Sequence, residues 1–338
     1  MNTKMDNTKN SPVFILGAPR SGTTLLRLML NAHSRIGIPE EIHFFRSTMF
    51  GNQIDKWSEE IFLTEANLSE MKSMLSFMAH DTGMSYLAEV GSCAASGSFL
   101  LRDLYEEITC RFLGTEGKTR WGEKTPENIL YSDILQNMFP TAKFILMKRD
   151  PRAVIVSMNK VFFYPSDTAT NLLNYMHYND NGYKRVETCI PPENRFEITY
   201  EELVANPRPA MQKICSFIEE DFEYGMLDFY RNAGAFMSSS ASSTYNVNAR
   251  GPVTSSSTNS WRNQLSESDL FLISSVLRLD EYEGSLSVNE KDDILLKFRE
   301  RQIEWINARR MHDCSRDFQI RNPGQSINSN RPLKELMP

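Results

Sequence analysis

The stretch "GAPRSGTT" at residues 17–24 decides the fold, because it has the form of a phosphate-binding loop. Gly17 and Gly22 have the G-x-x-x-x-G separation of such a loop, but Thr23 stands where nucleotide-hydrolysing loops carry lysine. The apolar run before the loop, "PVFILG", predicts a buried strand, and the apolar spacing after it predicts a helix over residues 23–33. Strand, glycine loop and helix together form the context that a phosphate-binding loop requires.

The side chains of this loop favour a ligand with less charge than a nucleoside triphosphate. Backbone N–H groups and a helix N-terminus bind anions, and kinases add a lysine and Mg²⁺ to offset the β- and γ-phosphates. Here the loop offers Arg20, Thr23 and Thr24 instead. A sulfuryl group on a phosphate fits that set, because its oxygens carry one formal charge where a γ-phosphate carries about two. The loop therefore predicts an anion site that works without a metal ion.

A second stretch, "RDPRAVIVS", places two more anion-binding side chains at a strand end. Arg149 ends the predicted strand 143–150, and Ser157 lies two turns into the helix that follows. A guanidinium fork and a hydroxyl would then lie near the carboxyl edge of the sheet, where α/β proteins bind ligands. A further strand is predicted at 195–200. Strands that alternate with helices predict an α/β fold in three layers, with a central parallel sheet flanked by helices.

The composition is that of a globular protein with an ordinary core. Of the 338 residues, 41% are hydrophobic and 24% are charged, which predicts one elaborated domain at 12–315 with tails at 1–11 and 321–338. Residues 58–112 are predicted to be helical with breaks, and the Ser-rich residues 238–260 to form a long loop. The net charge of −6 argues against a nucleic-acid partner.

Cysteine usage and the N-terminus predict a cytoplasmic location. The chain has five cysteines, an odd number with no C-x-x-C pair, which is typical of reduced thiols rather than of disulfides or a zinc site. The first residues are polar and no apolar segment follows them, so we expect neither a signal peptide nor a membrane partner.

The two loops together resemble a known family. "PRSGTT" followed by "RDPRAVIVS" is similar to the cofactor elements of sulfotransferases that use 3′-phosphoadenosine 5′-phosphosulfate (PAPS). The resemblance implies an enzyme with the P-loop-like sulfotransferase fold, in which Arg149 and Ser157 hold the 3′-phosphate and adenosine 3′,5′-bisphosphate is the product. It also implies that the 5′-phosphosulfate is held by the loop residues Arg20, Ser21, Gly22, Thr23 and Thr24.

Two later segments extend the resemblance. "ITYEELVANP" is similar to a strand-end tyrosine segment of the family, which implies that Tyr200 lines the nucleotide site. "SWRNQL" resembles a tryptophan-bearing C-terminal segment. The Arg-Lys-Gly signature of cytosolic members is approached only by "ARG" at 249–251, and the resemblance assigns Arg250 to the 3′-phosphate on that basis.

The segment "PEEIHFF" supplies candidates for the base that takes the acceptor's proton. Its Glu-x-His-Phe-Phe pattern resembles heparan-type sulfotransferases, and its distance in sequence from Arg20 resembles tyrosylprotein sulfotransferases; both imply that Glu41 is the base. The two phenylalanines would desolvate that carboxylate and raise its pKa. Glu40 is the neighbour to use as a control, and His43 is the rival base, because neutral histidine suits proton abstraction near pH 7.

The last catalytic candidate is Lys124 in "WGEKTP". This segment resembles the Lys-x-Pro segment of the same branches, which implies that Lys124 stabilises the charge that develops on the leaving oxygen. The catalytic set is then Arg20, Glu41 and Lys124, with His43 beside them, and the missing loop lysine is replaced by Arg20 and Lys124.

Two other functions stay open at this point: a P-loop kinase of a small metabolite, and a non-catalytic protein that uses a nucleotide fold for partner contact. Thr23 in place of lysine argues against the kinase, and the intact set of charged residues argues against loss of catalysis. For the leading function, the acidic composition favours a small-molecule acceptor whose hydroxyl or amine is sulfated.

Overall fold

The computed structural model describes residues 11–46, 60–62, 98–231, 251–279 and 282–321, and every statement below refers to these residues. Arg250 and most of the segments 58–112 and 238–260 lie outside them. The boundaries predicted for the domain and its tails stay predictions.

A parallel sheet forms the centre of the described chain, as the sequence predicts. In chain order the strands are β1 (Val13–Leu16), β2 (Ile36–Gly37), β3 (Glu60–Phe62), β4 (Ser98–Leu100), β5 (Arg120–Glu123), β6 (Lys143–Lys148) and β7 (Arg195–Thr199). Five of them form the central sheet in the order β2-β5-β1-β6-β7, with every neighbouring pair parallel. Strands β3 and β4 form a separate antiparallel pair.

Helices cover both faces of this sheet. They are α1 (Thr23–Asn31), α2 (Leu101–Glu116), α3 (Ser132–Met138), α4 (Pro151–Met158), α5 (Thr168–His177), α6 (Lys184–Cys189), α7 (Tyr200–Ala205), α8 (Pro207–Phe217), α9 (Glu267–Leu277) and α10 (Val288–Arg321). Side chains alternate along β1: Phe14 and Leu16 join one apolar cluster, while Val13 and Ile15 join the other. The sheet is therefore buried on both faces, and the predicted three-layer α/β fold is confirmed.

The structure corrects the helical prediction for 58–112. Within the described part of that range, Glu60–Phe62 and Ser98–Leu100 pair as strands, and the helix begins only at Leu101. The pairing partners are about 40 residues apart, so a local pattern could not reveal the hydrogen bonds that pairing provides. The two-residue strand Ile36–Gly37 was also missed, because it is too short to show any periodicity.

A buried tyrosine fixes the loop after β1 to the neighbouring strand. The Tyr183 hydroxyl accepts a hydrogen bond from the Ala18 N–H at 3.0 Å and donates one to the Met147 carbonyl at 2.9 Å. Tyr183 ends a π-helical turn, Tyr178–Tyr183, between α5 and α6. Such turns are frequent at functional sites, and this one holds the loop against the carboxyl end of β6.

None of the described helices is long and apolar enough to cross a membrane. The predicted cytoplasmic location stays a prediction.

Candidate active site

The loop after β1 has the close-packed backbone that its glycines predict. Gly22 has φ +102°, and a Cβ there would lie 2.5 Å from a ring carbon of Tyr200. A Cβ on Gly17 would lie 2.7 Å from the Met147 carbonyl oxygen. Arg20 also has a positive φ, 70°, which is uncommon for a residue with a side chain. The loop leads directly into α1, which begins at Thr23. The first N–H groups of a helix have no partner within it and so can bind an anion.

Arg149 and Ser157 both contact this loop. The Arg149 Nη1 donates to the Arg20 carbonyl at 3.0 Å, and the Arg20 Nε donates to the Ser157 hydroxyl at 3.1 Å. The two predicted 3′-phosphate residues therefore both contact Arg20, one of the predicted 5′-phosphosulfate residues. The structure brings all three together at the carboxyl edge of the sheet, between β1 and β6.

The Arg149 side chain is partly buried, and its guanidinium has one nitrogen without a hydrogen-bond partner among the described residues. It stacks on the Tyr200 ring at 4.2 Å, and its Nη2 donates to the Ser257 carbonyl at 3.1 Å. Burial lowers the pKa of Arg149, because desolvation disfavours the charged form. Its Nε is buried with no hydrogen-bond partner among the described residues, which leaves one donor for an anionic ligand.

The Ser-rich segment reaches this site. The Tyr200 hydroxyl and the Ser257 hydroxyl are 2.6 Å apart, and the Ser257 carbonyl meets Arg149. Sequence reasoning predicted a long loop over 238–260 but missed Ser257, because one serine among many carries no distinguishing signal. The assignment of Arg250 falls outside the described residues and stays a prediction.

Glu41 and Lys124 form an ion pair beside the loop. The Lys124 ammonium is hydrogen-bonded to Glu41 Oε1 and lies 3.3 Å from the Thr24 hydroxyl, to which it donates. Lys124 is 2% exposed, whereas the Glu41 side chain is 34% exposed. The cation is therefore buried and its carboxylate partner is open, which is the arrangement expected for a base that must reach an acceptor.

Glu40 has a different partner from its neighbour. Its carboxylate lies 3.7 Å from the guanidinium of Arg27, which is 2% exposed and which also donates to the Ile38 carbonyl at 3.4 Å. Asn31 exchanges two hydrogen bonds with the backbone of Ile38, at 2.7 and 2.8 Å. Helix α1 thus binds Ile38 and Glu40 of the segment 38–43, whereas the carboxylate of Glu41 contacts Lys124.

His43 lies between two carboxylates. Its Nε2 is 3.5 Å from Glu41 Oε2, and its Nδ1 is 3.4 Å from Glu127 Oε2. His43 has φ 45°, in the left-handed region where histidine is several-fold enriched. The structure therefore brings both candidate bases together, with Glu41 between Lys124 and the imidazole. Glu127 was missed by sequence reasoning, since its only sign is a position after Pro126.

The described residues contain no group of three or more His, Cys, Asp and Glu side chains that could hold a metal ion. The predicted independence from metal stays a prediction.

Comparisons with known proteins identify the family. A family model described as "Sulfotransferase family" matches residues 12–224, well over half of the chain. The chain belongs to the sulfotransferase family. The predicted family, and with it the prediction of a transferase enzyme, is therefore confirmed.

Curated relatives of this sulfotransferase-family chain include protein-tyrosine sulfotransferases. Protein-tyrosine sulfotransferase 1 of Danio rerio is 29% identical over 64% of this chain and 56% of the relative. A putative protein-tyrosine sulfotransferase of Caenorhabditis briggsae is 25% identical over 66% of this chain and 70% of the relative. The match to protein-tyrosine sulfotransferase A of Caenorhabditis elegans, 26% identical over 62% of this chain, spans half of that relative's length.

Solved structures support the fold. The sulfotransferase domain from the curacin biosynthetic pathway aligns with a TM-score of 0.54 at 21% identity, over 81% of this chain and 99% of that domain. The sulfotransferase domain of the Synechococcus PCC 7002 olefin synthase gives 0.53 at 21% identity, over 83% of this chain and 99% of that domain.

Proposed function

We propose that this protein transfers the sulfuryl group of PAPS to an acceptor hydroxyl, with Glu41 as the general base. One observation carries the proposal. The Lys124 ammonium contacts both the Thr24 hydroxyl of the phosphate-binding loop and the Glu41 carboxylate. A donor anion held by the loop and an acceptor hydroxyl at Glu41 would therefore meet at one buried cation.

The residues present fit the nucleotide product and its donor. The loop glycines leave no room for a Cβ, which is typical of backbone that approaches a phosphate closely. The spare Nε of Arg149 and the Ser157 hydroxyl would hold the 3′-phosphate, with Tyr200 behind them. When bound, PAPS supplies the sulfuryl group: the acceptor oxygen bonds to sulfur, the bond from sulfur to the 5′-phosphate oxygen breaks, and adenosine 3′,5′-bisphosphate leaves.

The side chains of this chain would then perform three tasks. Glu41 takes the proton of the attacking hydroxyl on its exposed carboxylate. Lys124, fixed at the loop, stabilises the negative charge of the leaving phosphate oxygen without any reorganisation. The Arg20 guanidinium, whose Nε contacts Ser157, adds a second fixed cation at the loop. Because two cations already lie there, we propose that transfer needs no Mg²⁺.

The acceptor class is a separate part of the proposal. The acidic composition favours a small-molecule acceptor. Several relatives are named protein-tyrosine sulfotransferases, however, which supports a phenolic hydroxyl as the acceptor group. A phenol has a pKa of about 10, so a carboxylate base can assist its deprotonation as attack proceeds. We therefore propose a tyrosyl hydroxyl as the first acceptor to test, with free phenols and aliphatic alcohols as comparison substrates.

Calorimetric titration with adenosine 3′,5′-bisphosphate tests the nucleotide site. We expect binding that is the same with and without Mg²⁺ and that ATP does not displace. Binding of Mg-ATP in its place would support the kinase, and binding without turnover on any acceptor would support the non-catalytic protein.

A matched pair of variants tests the assignment of Arg149. Arg149→Lys should weaken the binding of adenosine 3′,5′-bisphosphate by roughly 10- to 100-fold, because hydrogen bonds to charged groups contribute about 1.5–3 kcal/mol each. Arg185→Lys, at a half-exposed ion pair with Asp133, is the control and should bind like the unmodified protein. Equal affinity of both variants would contradict the assignment.

A further inference from the structure

A buried carboxyl group next to Lys124 has no task in the proposed reaction. Glu123 ends β5 and is only 1% exposed. Its carboxylate accepts hydrogen bonds from the Thr125 N–H at 3.2 Å, from the Thr125 hydroxyl and from the Asn128 side-chain amide. Asn128 also donates to the Tyr105 hydroxyl at 3.1 Å, which links the cluster to α2.

The direction of this side chain fixes the direction of the next one. Successive side chains of an extended segment point to opposite sides, so a Glu123 carboxylate held inside directs Lys124 the other way. On that side the Lys124 ammonium meets Glu41 and the Thr24 hydroxyl. Anchoring Glu123 therefore orients a cation that contacts both the loop and the proposed base.

The same cluster also reaches the segment that carries the base. The Thr125 hydroxyl donates to Glu123, so its lone pairs face outward, and it accepts a hydrogen bond from the His43 N–H at 3.4 Å. His43 follows Glu41 by two residues. Rotation of the Thr125 hydroxyl would thus remove a contact that holds the base segment near Lys124.

The charge of Glu123 decides whether all of these bonds can form. The ionised carboxylate accepts from the Thr125 N–H, the Asn128 amide and the Thr125 hydroxyl. A proton on the oxygen that meets the Thr125 hydroxyl would make that hydroxyl accept instead of donate, so it must reorient and its lone pairs are no longer arranged in the same way for the His43 N–H. Burial raises the pKa of Glu123 to about 7, with the Thr125 hydrogen bond and the charge of Lys124 acting in the opposite direction. The other titratable groups that face it are Tyr105 on α2 and Glu41, which also act on this pKa.

We propose that Glu123 is a positioning residue whose ionised carboxylate holds Lys124 and, through Thr125, the Glu41 segment in their reactive arrangement, and whose protonation releases them. This rests on the proposed function for its effect on turnover. The positions of Lys124 and of the Glu41 segment would then depend on pH through Glu123, a dependence that neither the loop nor the base supplies.

The effect on turnover separates positioning from binding. Glu123→Gln should lower kcat by roughly 10- to 100-fold at pH 8, as expected for a small displacement of reacting groups, and leave KM for PAPS within about twofold. In the unmodified protein kcat should fall as the pH drops through about 7, and this part of the profile should be absent in Glu123→Gln. His43→Asn should keep this fall of kcat near pH 7. If the fall is absent in His43→Asn, His43 is the titrating group and the proposal is wrong.

Stability gives a readout of the titration of Glu123 itself, and kcat of the same variant then shows whether that titration affects positioning. Since the folded-state pKa of Glu123 is above its unfolded value, the folded state binds more protons between about pH 4.5 and 7, and this group's contribution to stability declines as the pH rises through that range. The Tm of Glu123→Gln relative to the unmodified protein should therefore rise with pH, while its kcat is reduced. A Tm difference that does not change with pH would overturn the proposal.

Amide exchange tests the positioning step even if no acceptor is turned over. The His43 amide should exchange faster in Glu123→Gln and in Thr125→Val than in the unmodified protein, whereas Thr125→Ser, which keeps the hydroxyl, should restore the slow rate. Adenosine 3′,5′-bisphosphate should bind these variants with unchanged affinity. Unchanged exchange at His43 would overturn the positioning proposal, whereas failure of every acceptor would count only against the proposed function.

Discussion

Strand β5 has a buried cation at each end, and the two are held differently. At its start, Arg120 is fully buried; its Nε donates to the Ser11 carbonyl at 2.9 Å and its Nη1 to Glu220 at 3.0 Å. Just past its end, Lys124 pairs with Glu41. The Glu220 side chain is 6% exposed and the Glu41 side chain is 34% exposed.

The difference lies in the carboxylate of each pair, and under the proposed function it separates a structural pair from a catalytic one. At the start of β5 both charges of the pair are inside the protein, and the pair ties the amino end of this strand to Glu220. At the other end the cation is equally buried, but its carboxylate keeps a face toward solvent and can take a proton. The cation is buried in both pairs. The pairs differ in the solvent exposure of the carboxylate, which is low for Glu220 and higher for Glu41.

The largest expected effect breaks the pair at the reactive end. Glu41→Gln should reduce kcat by about 10²- to 10⁴-fold, because it removes a general base while the amide oxygen can still accept from Lys124. Binding of adenosine 3′,5′-bisphosphate, measured by calorimetry, should be retained. If Glu41→Gln turns over at the unmodified rate, Glu41 is not the base and His43 becomes the candidate.

Breaking the pair at the other end should affect stability instead. Arg120→Met leaves Glu220 buried without its main partner and should lower the free energy of unfolding by about 3–5 kcal/mol in urea titrations. The kcat of the folded fraction should change by less than about twofold. A large loss of kcat with unchanged stability would show that the two ends of the strand are not separate in function.

A smaller effect is expected when the contact between Lys124 and Thr24 is removed. Thr24→Val removes the hydroxyl that accepts from the Lys124 ammonium at 3.3 Å and should lower kcat/KM by about fivefold, the effect of one net hydrogen bond of about 1 kcal/mol. Thr24→Ser keeps the hydroxyl and should retain the unmodified value. If both variants lose activity equally, the methyl group matters rather than this contact.

The smallest effect on turnover is expected at Glu40. Glu40→Gln should leave kcat within about twofold, because the side chain faces Arg27 rather than Lys124. It should lower the free energy of unfolding by about 1 kcal/mol, since the carboxylate 3.7 Å from the buried guanidinium is replaced by a neutral amide. A loss of turnover as large as that of Glu41→Gln would mean that either carboxylate can act as the base.

Much of the site could be predicted from the sequence, because its parts lie in short contiguous segments. The glycine separation and the strand before it give the loop, and Arg149 and Ser157 follow from one nine-residue stretch. The resemblance supplied Glu41 and Lys124 as candidates. It could not exclude His43, and the structure keeps both candidates adjacent: the imidazole Nε2 lies 3.5 Å from the Glu41 carboxylate.

Other residues could not be predicted, because their roles depend on partners far away in sequence. Ser257 meets Arg149 across 108 residues, and nothing in its serine-rich surroundings marks it. From the sequence alone, Arg27 is one polar residue of an amphipathic helix. Only the structure shows the carboxylate of Glu40 beside it. The helical prediction for 58–112 was wrong at both described strands for the same reason.

By itself the sequence determined the α/β class, the glycine loop after the first strand and the sulfotransferase family, since these depend on local spacing and on short motifs. Only the tertiary structure decided which of two adjacent glutamates contacts Lys124. Arg27 of α1 binds Glu40, and Lys124 after β5 binds Glu41. The physical reason is that each buried cation needs its own carboxylate, and which carboxylate it meets depends on where the strands and helices place it.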